Sequence, residues 1–133
     1  MMKISIVSTT YNSEKNIDTF IDKINYAIKK IAIDDFEIIV VDDGSVDNTV
    51  TKLINLKTVN KNLKILELSR NFGHHKALMT GFKYSSGEFV FFIDSDLEED
   101  PNLLIEFYNK INESDYELVY GYNKKRSSGL ISN

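Results

Sequence analysis

Four times in succession a strand-sized apolar run ends in a polar cluster and gives way to a helical pattern, and this alternation constrains the fold more than any other feature of the chain. Ile4 to Val7 runs into Ser8-Thr9-Thr10-Tyr11-Asn12. Ile17, Phe20, Ile21, Ile24, Ala27, Ile28 and Ile31 then keep the spacing of one buried helix face, with Ser13 as the expected amino-terminal cap. Phe36 to Val41 reads as a second strand, apolar enough to be central, parallel and covered on both faces. A shorter helical pattern through Val46, Val50, Leu53 and Ile54 follows Asp42-Asp43-Gly44-Ser45, with Ser45 or Asp47 as its cap. Leu63 to Leu68 is the third strand, and a helix from about His75 to Tyr84 follows Ser69-Arg70-Asn71-Phe72-Gly73. Phe89 to Ile93 leads through Asp94 to Asp100 into a helix whose first turn holds Pro101 and whose buried stripe is Leu103, Leu104, Phe107, Tyr108 and Ile111. Glu117 to Tyr122 is the expected fifth strand.

Strands alternating with helices in this way predict an α/β fold, a mostly parallel central sheet with helices on both faces. Ligands of such sheets bind at the carboxyl ends of the strands, where the clusters at Thr9 to Asn12, Asp42 to Ser45, Arg70 to Gly73 and Asp94 to Glu98 all fall. Residues 1–123 make one domain. Residues 124–133, basic and poor in apolar side chains, are expected to form a flexible tail.

Two acidic motifs carry the chemistry. Asp94 and Asp96 lie two apart after a buried strand and could share a hard cation, Mg²⁺ or Mn²⁺, together with a substrate phosphate. The competing reading is a cap for the helix at Pro101, a place that Asp100 fills better. Asp42 and Asp43 put two like charges at one strand end, where ribose hydroxyls or a base N–H could take them up; a plain helix entry through Gly44 and Ser45 is the alternative. His74 and His75 are weak ligand candidates and read as exposed loop or helix-start residues, with contact to a phosphate as the alternative, and Lys76 is treated alike. Lys124, Lys125 and Arg126 form either a solvated run or a basic tail that meets an anionic acceptor or lipid surface.

Composition narrows the function classes. A net charge of −4 with scattered cations argues against nucleic acid as a partner. The chain has no cysteine, which fits a reducing, cytoplasmic compartment. Its apolar runs are too short for a signal peptide or a membrane span. Neither G-x-G-x-x-G nor G-x-x-x-x-G-K follows the first strand, so dinucleotide and P-loop proteins match poorly.

Taken in order, ISIVSTTYNSEKNI, FEIIVVDDGSVDNT, LELSRNFGHHKALMTGF, GEFVFFIDSDLEEDP and ELVYGYNKKR resemble glycosyltransferase family 2 over nearly the whole chain, and within it the branch that charges dolichol or undecaprenyl phosphate. The resemblance implies a GT-A fold and transfer of a sugar, with inversion, from a nucleotide diphosphate donor to an acceptor, polyprenyl phosphate in that branch. A saccharide acceptor, or a catalytically incomplete module that only binds nucleotide sugar, are the alternatives. It implies that Tyr11, Asp42 and Asp43 line the nucleoside pocket, that Arg70, Asn71 and Gly73 shape the donor site, and that Asp94 and Asp96, as the catalytic acids, reach the metal and diphosphate; beside these matched positions Thr9, Lys76 and Ser95 are further candidates for the nucleotide sugar, Glu98 for the metal and Arg126 for an acceptor phosphate. It also implies work at the cytoplasmic face of the membrane, beside a membrane or membrane-protein partner. The chain departs from the family pattern at Thr9 (commonly Pro), Ser13 (commonly Glu), Glu98 (often Gln) and Asn123 (often Arg). Relatives continue into an acceptor-binding region, so the resemblance implies that this chain is the amino-terminal, donor-binding part.

Overall fold

In the computed structural model, which describes residues 3–113, 118–122 and 127–132, the elements follow the order β1 (Ile4–Thr10), α1 (Ile17–Ile31), β2 (Phe36–Asp42), α2 (Thr49–Lys57), β3 (Leu63–Glu67), α3 (His74–Lys83), β4 (Phe89–Phe92), α4 (Leu103–Glu113), β5 (Leu118–Tyr122) and β6 (Ser127–Ser132). They build one six-stranded sheet of order β3-β2-β1-β4-β6-β5. β1 pairs in parallel with β2 and β4, and β2 with β3, whereas β6 runs antiparallel to both β4 and β5.

The period of two along each strand sorts the core into two layers. Ile4, Ile6, Ile38, Val40, Leu63, Phe91 and Ile93 face the side covered by α1, α2 and α4. Val7, Ile39, Val41 and Val90 face the side where Ala77 of α3 packs. Every residue of β1 is buried, as expected of a strand sandwiched between helices. α1 buries Ile17, Phe20, Ile21, Ile24, Ala27 and Ile28, as its spacing predicts.

The helix starts differ from expectation for local reasons. Ser13 is not the cap of α1: its carbonyl accepts the N–H groups of Asn16 and Ile17, a turn that delays the helix to Ile17, and its hydroxyl bonds the Tyr11 carbonyl at 3.3 Å. α2 starts at Thr49, because Asp47 Oδ1 accepts both the Thr49 N–H at 3.0 Å and its hydroxyl at 2.6 Å. Ser45 is occupied elsewhere, and Val46 and Ile54 are exposed, so α2 rests on Leu53 and Thr49. Pro101 lies before α4 rather than in its first turn; Asp100 Oδ1 accepts the Asn102 N–H at 2.9 Å and its carbonyl accepts that of Leu103.

The largest difference lies in the expected tail. Ser127–Ser132 forms β6 and inserts between β4 and β5, with Phe89 opposite Ser132 and Phe92 opposite Gly129. A strand of low apolar content is held there by ladder hydrogen bonds to both neighbours, and those partners are remote in sequence. The basic run Lys124 to Arg126 lies outside the described residues, and with it the expected phosphate contact of Arg126.

Candidate functional site

The loops after β1, β2, β3 and β4 meet at the carboxyl edge of the sheet, as the topology requires of parallel strands. Thr9, Thr10, Tyr11, Ser13, Asp43, His74, Asp94, Ser95 and Asp96 line one cleft there, of about 190 Å³.

The first two loops are tied to each other. Asn12, at φ +51, donates its N–H to Ser45 Oγ at 2.8 Å, and its side-chain oxygen accepts the Val46 N–H at 2.9 Å. Tyr11, held on this turn, stays half exposed at the cleft wall. The paired acids at the end of β2 divide their work. Asp42 turns back on the chain and accepts the Ser45 N–H at 2.9 Å and hydroxyl at 2.6 Å. Asp43 reaches across to the third loop, accepting the Phe72 N–H at 2.8 Å and the Gly73 N–H at 3.1 Å, and also lines the cleft. Two carboxylates side by side are tolerable because each is met by separate donors. Gly44, at φ +84, lies so close to the third loop that an added Cβ would stand 2.5 Å from the Arg70 carbonyl carbon and the Asn71 nitrogen.

In the fourth loop, Ser95 is buried and donates its hydroxyl to the Thr9 carbonyl at 2.9 Å, locking the Asp-Ser-Asp turn to β1. Asp96 accepts the Glu98 N–H at 3.0 Å, across Leu97, whose φ of +67 is unusual for a residue with a side chain. Asp94 Oδ1 lies 3.5 Å from Thr9 Oγ1 and 3.6 Å from His74 Nδ1. Thr10 Oγ1, at the same edge, is buried with no hydrogen-bond partner among the described residues. A native fold rarely leaves such a group unmatched away from a ligand site.

The structure therefore brings together Thr9, Tyr11, Asp43, Asp94, Ser95 and Asp96 from the expected set. Asp42 and Gly73 shape the loops behind the cleft. Arg70 and Lys76 flank the exposed Phe72 ring, at 4.5 Å and 5.9 Å from its centroid, outside the cleft lining, and Asn71 is likewise outside it. Glu98 is exposed and contributes its backbone N–H to Asp96. His74 is the residue the sequence reading undervalued, because adjacency to His75 concealed that α3 begins at His74 and turns its ring toward β1. Its one sequence signal was its place directly after Gly73, at a strand-to-helix loop.

The donors in the cleft suit a hard divalent cation: three carboxylates, Asp43, Asp94 and Asp96, and no sulfur. Among the described residues no group of three or more acidic or histidine side chains is arranged to hold a metal by itself.

A mostly parallel sheet covered by helices on both faces, with an Asp-Ser-Asp loop in the cleft at its carboxyl edge, defines an α/β domain of the GT-A type. The chain belongs to glycosyltransferase family 2: the family model, Glycosyl transferase family 2, matches residues 5–130. It is 44% identical over 132 residues, 99% of this chain and 38% of the relative, to a Mycobacterium tuberculosis protein whose name places it among glycosyltransferases without giving a substrate. It is 33% identical over 131 residues, 97% of this chain and 39% of the relative, to the undecaprenyl-phosphate 4-deoxy-4-formamido-L-arabinose transferase of Yersinia pestis. Among solved structures it is similar to S. aureus TarS in complex with UDP-GlcNAc, with a TM-score of 0.72 and 30% identity, covering 94% of this chain and 37% of that one. It shares the fold of the Pyrobaculum calidifontis mannosyltransferase PcManGT in complex with GDP-Man and Mn²⁺, with a TM-score of 0.72 and 23% identity over 91% of this chain and 35% of that one. The chain thus spans under two-fifths of the length of these relatives. No helix among the described residues is long and apolar enough to cross a membrane.

Proposed function

We propose that the cleft binds the nucleoside diphosphate part of a nucleotide sugar, and that the sugar is transferred with inversion to polyprenyl phosphate. The observation that carries this reading is the convergence of Asp43, Asp94, Ser95 and Asp96 with Thr9 to Tyr11 on one cleft. At about 190 Å³ the cleft falls below the roughly 300–1,000 Å³ of pockets that enclose a whole ligand, which suits part of a donor rather than all of it. TarS binds UDP-GlcNAc and PcManGT binds GDP-Man with Mn²⁺ on the same fold. The lipid acceptor draws on the name of the Yersinia relative.

On this reading Tyr11 and Asp43 contact the nucleoside, the ring by stacking and the carboxylate by accepting N–H or hydroxyl groups. Thr9 and the unpaired Thr10 hydroxyl supply further hydrogen bonds at the floor. Asp94 and Asp96 would hold Mg²⁺ or Mn²⁺, which neutralises the charge on the departing diphosphate. The residues themselves hold the donor against the sheet edge, so that its anomeric carbon stays open to attack from the side opposite the diphosphate. A lipid phosphate is already ionised and needs no base to attack.

The test is thermal stabilisation of the chain by UDP, GDP and their sugars, with Mn²⁺ and with EDTA, because ligand linkage reports affinity and metal dependence together. The expected result is a metal-dependent rise in the unfolding midpoint that Asp96→Ala abolishes. Absence of any nucleotide effect would overturn the reading. Transfer assays on the full-length protein with polyprenyl phosphate against oligosaccharide acceptors check the acceptor; transfer to the saccharide alone would refute the lipid assignment.

A further inference from the structure

We propose that His74 is a positioning residue for the donor cleft: its imidazole joins Thr9 and Asp94 into one hydrogen-bonded set and so fixes the Asp94 carboxylate that faces the cation and diphosphate. The inference rests on the donor-site reading above and deepens it.

Three separate elements contribute. Thr9 is the penultimate residue of β1, Asp94 follows β4 and His74 opens α3. His74 Nδ1 stands 3.0 Å from Thr9 Oγ1 and 3.6 Å from Asp94 Oδ1, and Thr9 Oγ1 stands 3.5 Å from that same carboxylate oxygen. The pattern of donors and acceptors selects one arrangement. With hydrogen on Nδ1, the imidazole donates to Thr9 Oγ1, and the threonine hydroxyl is left to donate to Asp94. With hydrogen on the other nitrogen, Thr9 would donate to Nδ1, and two lone-pair-bearing atoms, Nδ1 and Asp94 Oδ1, would face each other 3.6 Å apart. The carboxylate therefore favours the form in which histidine, threonine and aspartate donate in sequence.

The ring is held from its own backbone as well. Asp43 accepts the N–H groups of Phe72 and Gly73, fixing the chain immediately before His74, and Ala77 packs α3 onto the sheet. The side chain is nevertheless 57% exposed, so it contributes little to the core and stands where a donor would lie. A half-exposed ring held by two remote loops is better explained by what it orients than by what it buries. Outer partners of metal-binding carboxylates act in this way, and their loss typically weakens metal affinity without unfolding the protein.

The experiment is calorimetric titration of the full chain with UDP and with GDP, each in Mn²⁺ and in EDTA, for the native protein and three variants. His74→Ala is expected to lose about 10-fold of the Mn²⁺-dependent gain in nucleotide affinity while keeping its affinity in EDTA. His74→Asn, whose amide reaches the place of Nδ1, is expected to retain most of the gain; His74→Gln, whose amide reaches the place of the other ring nitrogen, should behave like His74→Ala. Equal losses in Mn²⁺ and EDTA, an unchanged gain in His74→Ala, or rescue by Gln rather than Asn would each overturn the role. If the native chain showed no Mn²⁺-dependent gain with either nucleotide, the donor-site reading itself would fail, and the role of His74 with it.

Discussion

Glu37 sits in β2 at the end of the sheet opposite the cleft, 2% exposed, and accepts hydrogen bonds from Ser5 Oγ, the Ser86 N–H and hydroxyl, and Lys64 Nζ. Burial pushes this carboxyl up, but the Lys64 ammonium and the Ser5 and Ser86 donors together outweigh it and hold the pKa at about 2, against an ordinary 4.5. A depressed folded-state pKa contributes stability above the unfolded value that is lost as pH falls through the folded one. Glu37→Gln is therefore expected to cost about 2 kcal/mol at neutral pH, a figure discounted because Lys64 is half in water. The gap between variant and native protein should close as pH falls from 4.5 towards 2 in urea unfolding; a gap independent of pH would refute the assignment. Nothing in the sequence marks Glu37 for this part, since its partners come from β1, β3 and the α3–β4 loop. That Asp94 and Asp96 stand at the cleft was legible, because both lie just beyond an apolar strand of a parallel sheet. The division of labour between Asp42 and Asp43 was not, because it depends on which loop lies across from each.

At the scale of elements, α3 is the helix on which the site turns, and Gly81 sets how closely it lies. A Cβ there would come within 2.4 Å of Val7 Cγ1 and 3.1 Å of Val41 Cγ2, so the helix packs against β1 and β2 with no room for a side chain. Gly81→Val should cost about 3 kcal/mol, whereas the exposed Lys83→Ala should stay within about 0.5 kcal/mol of native. Thermal and urea unfolding check both; a neutral Gly81→Val would show that α3 can shift outward freely. Because His74 opens the same helix, any surviving Gly81 variant should also lose nucleotide affinity. Helix existence and the buried faces of α1 and α4 followed from periodicity, but helix starts did not. Those starts were decided by Asp47, Asp100 and the Ser13 carbonyl, each choosing among several backbone N–H groups within reach.

For the whole molecule, β6 closes the sheet beside β4, whose Val90 and Phe91 lie in the two core layers. Removing residues 127–133 would leave β4 with an open edge, and an unpaired apolar edge invites association with other chains. The truncated chain is expected to unfold at a lower temperature and to scatter light increasingly with concentration; an unchanged midpoint and a monodisperse solution would contradict this. By itself the sequence determined the alternation of strands and helices, the parallel sheet, the edge where polar loops gather and the acids that stand there. These follow from local periodicity and from the geometry that parallel strands impose. The tertiary structure alone decided that the carboxyl-terminal segment is a strand inside the sheet, that Asp43 braces the loop before α3, and that His74 meets Thr9 and Asp94. Each of those joins groups 20 or more residues apart, His74 and Asp94 being the nearest pair, and a chain pattern carries no record of contacts made across such a distance until the fold closes them.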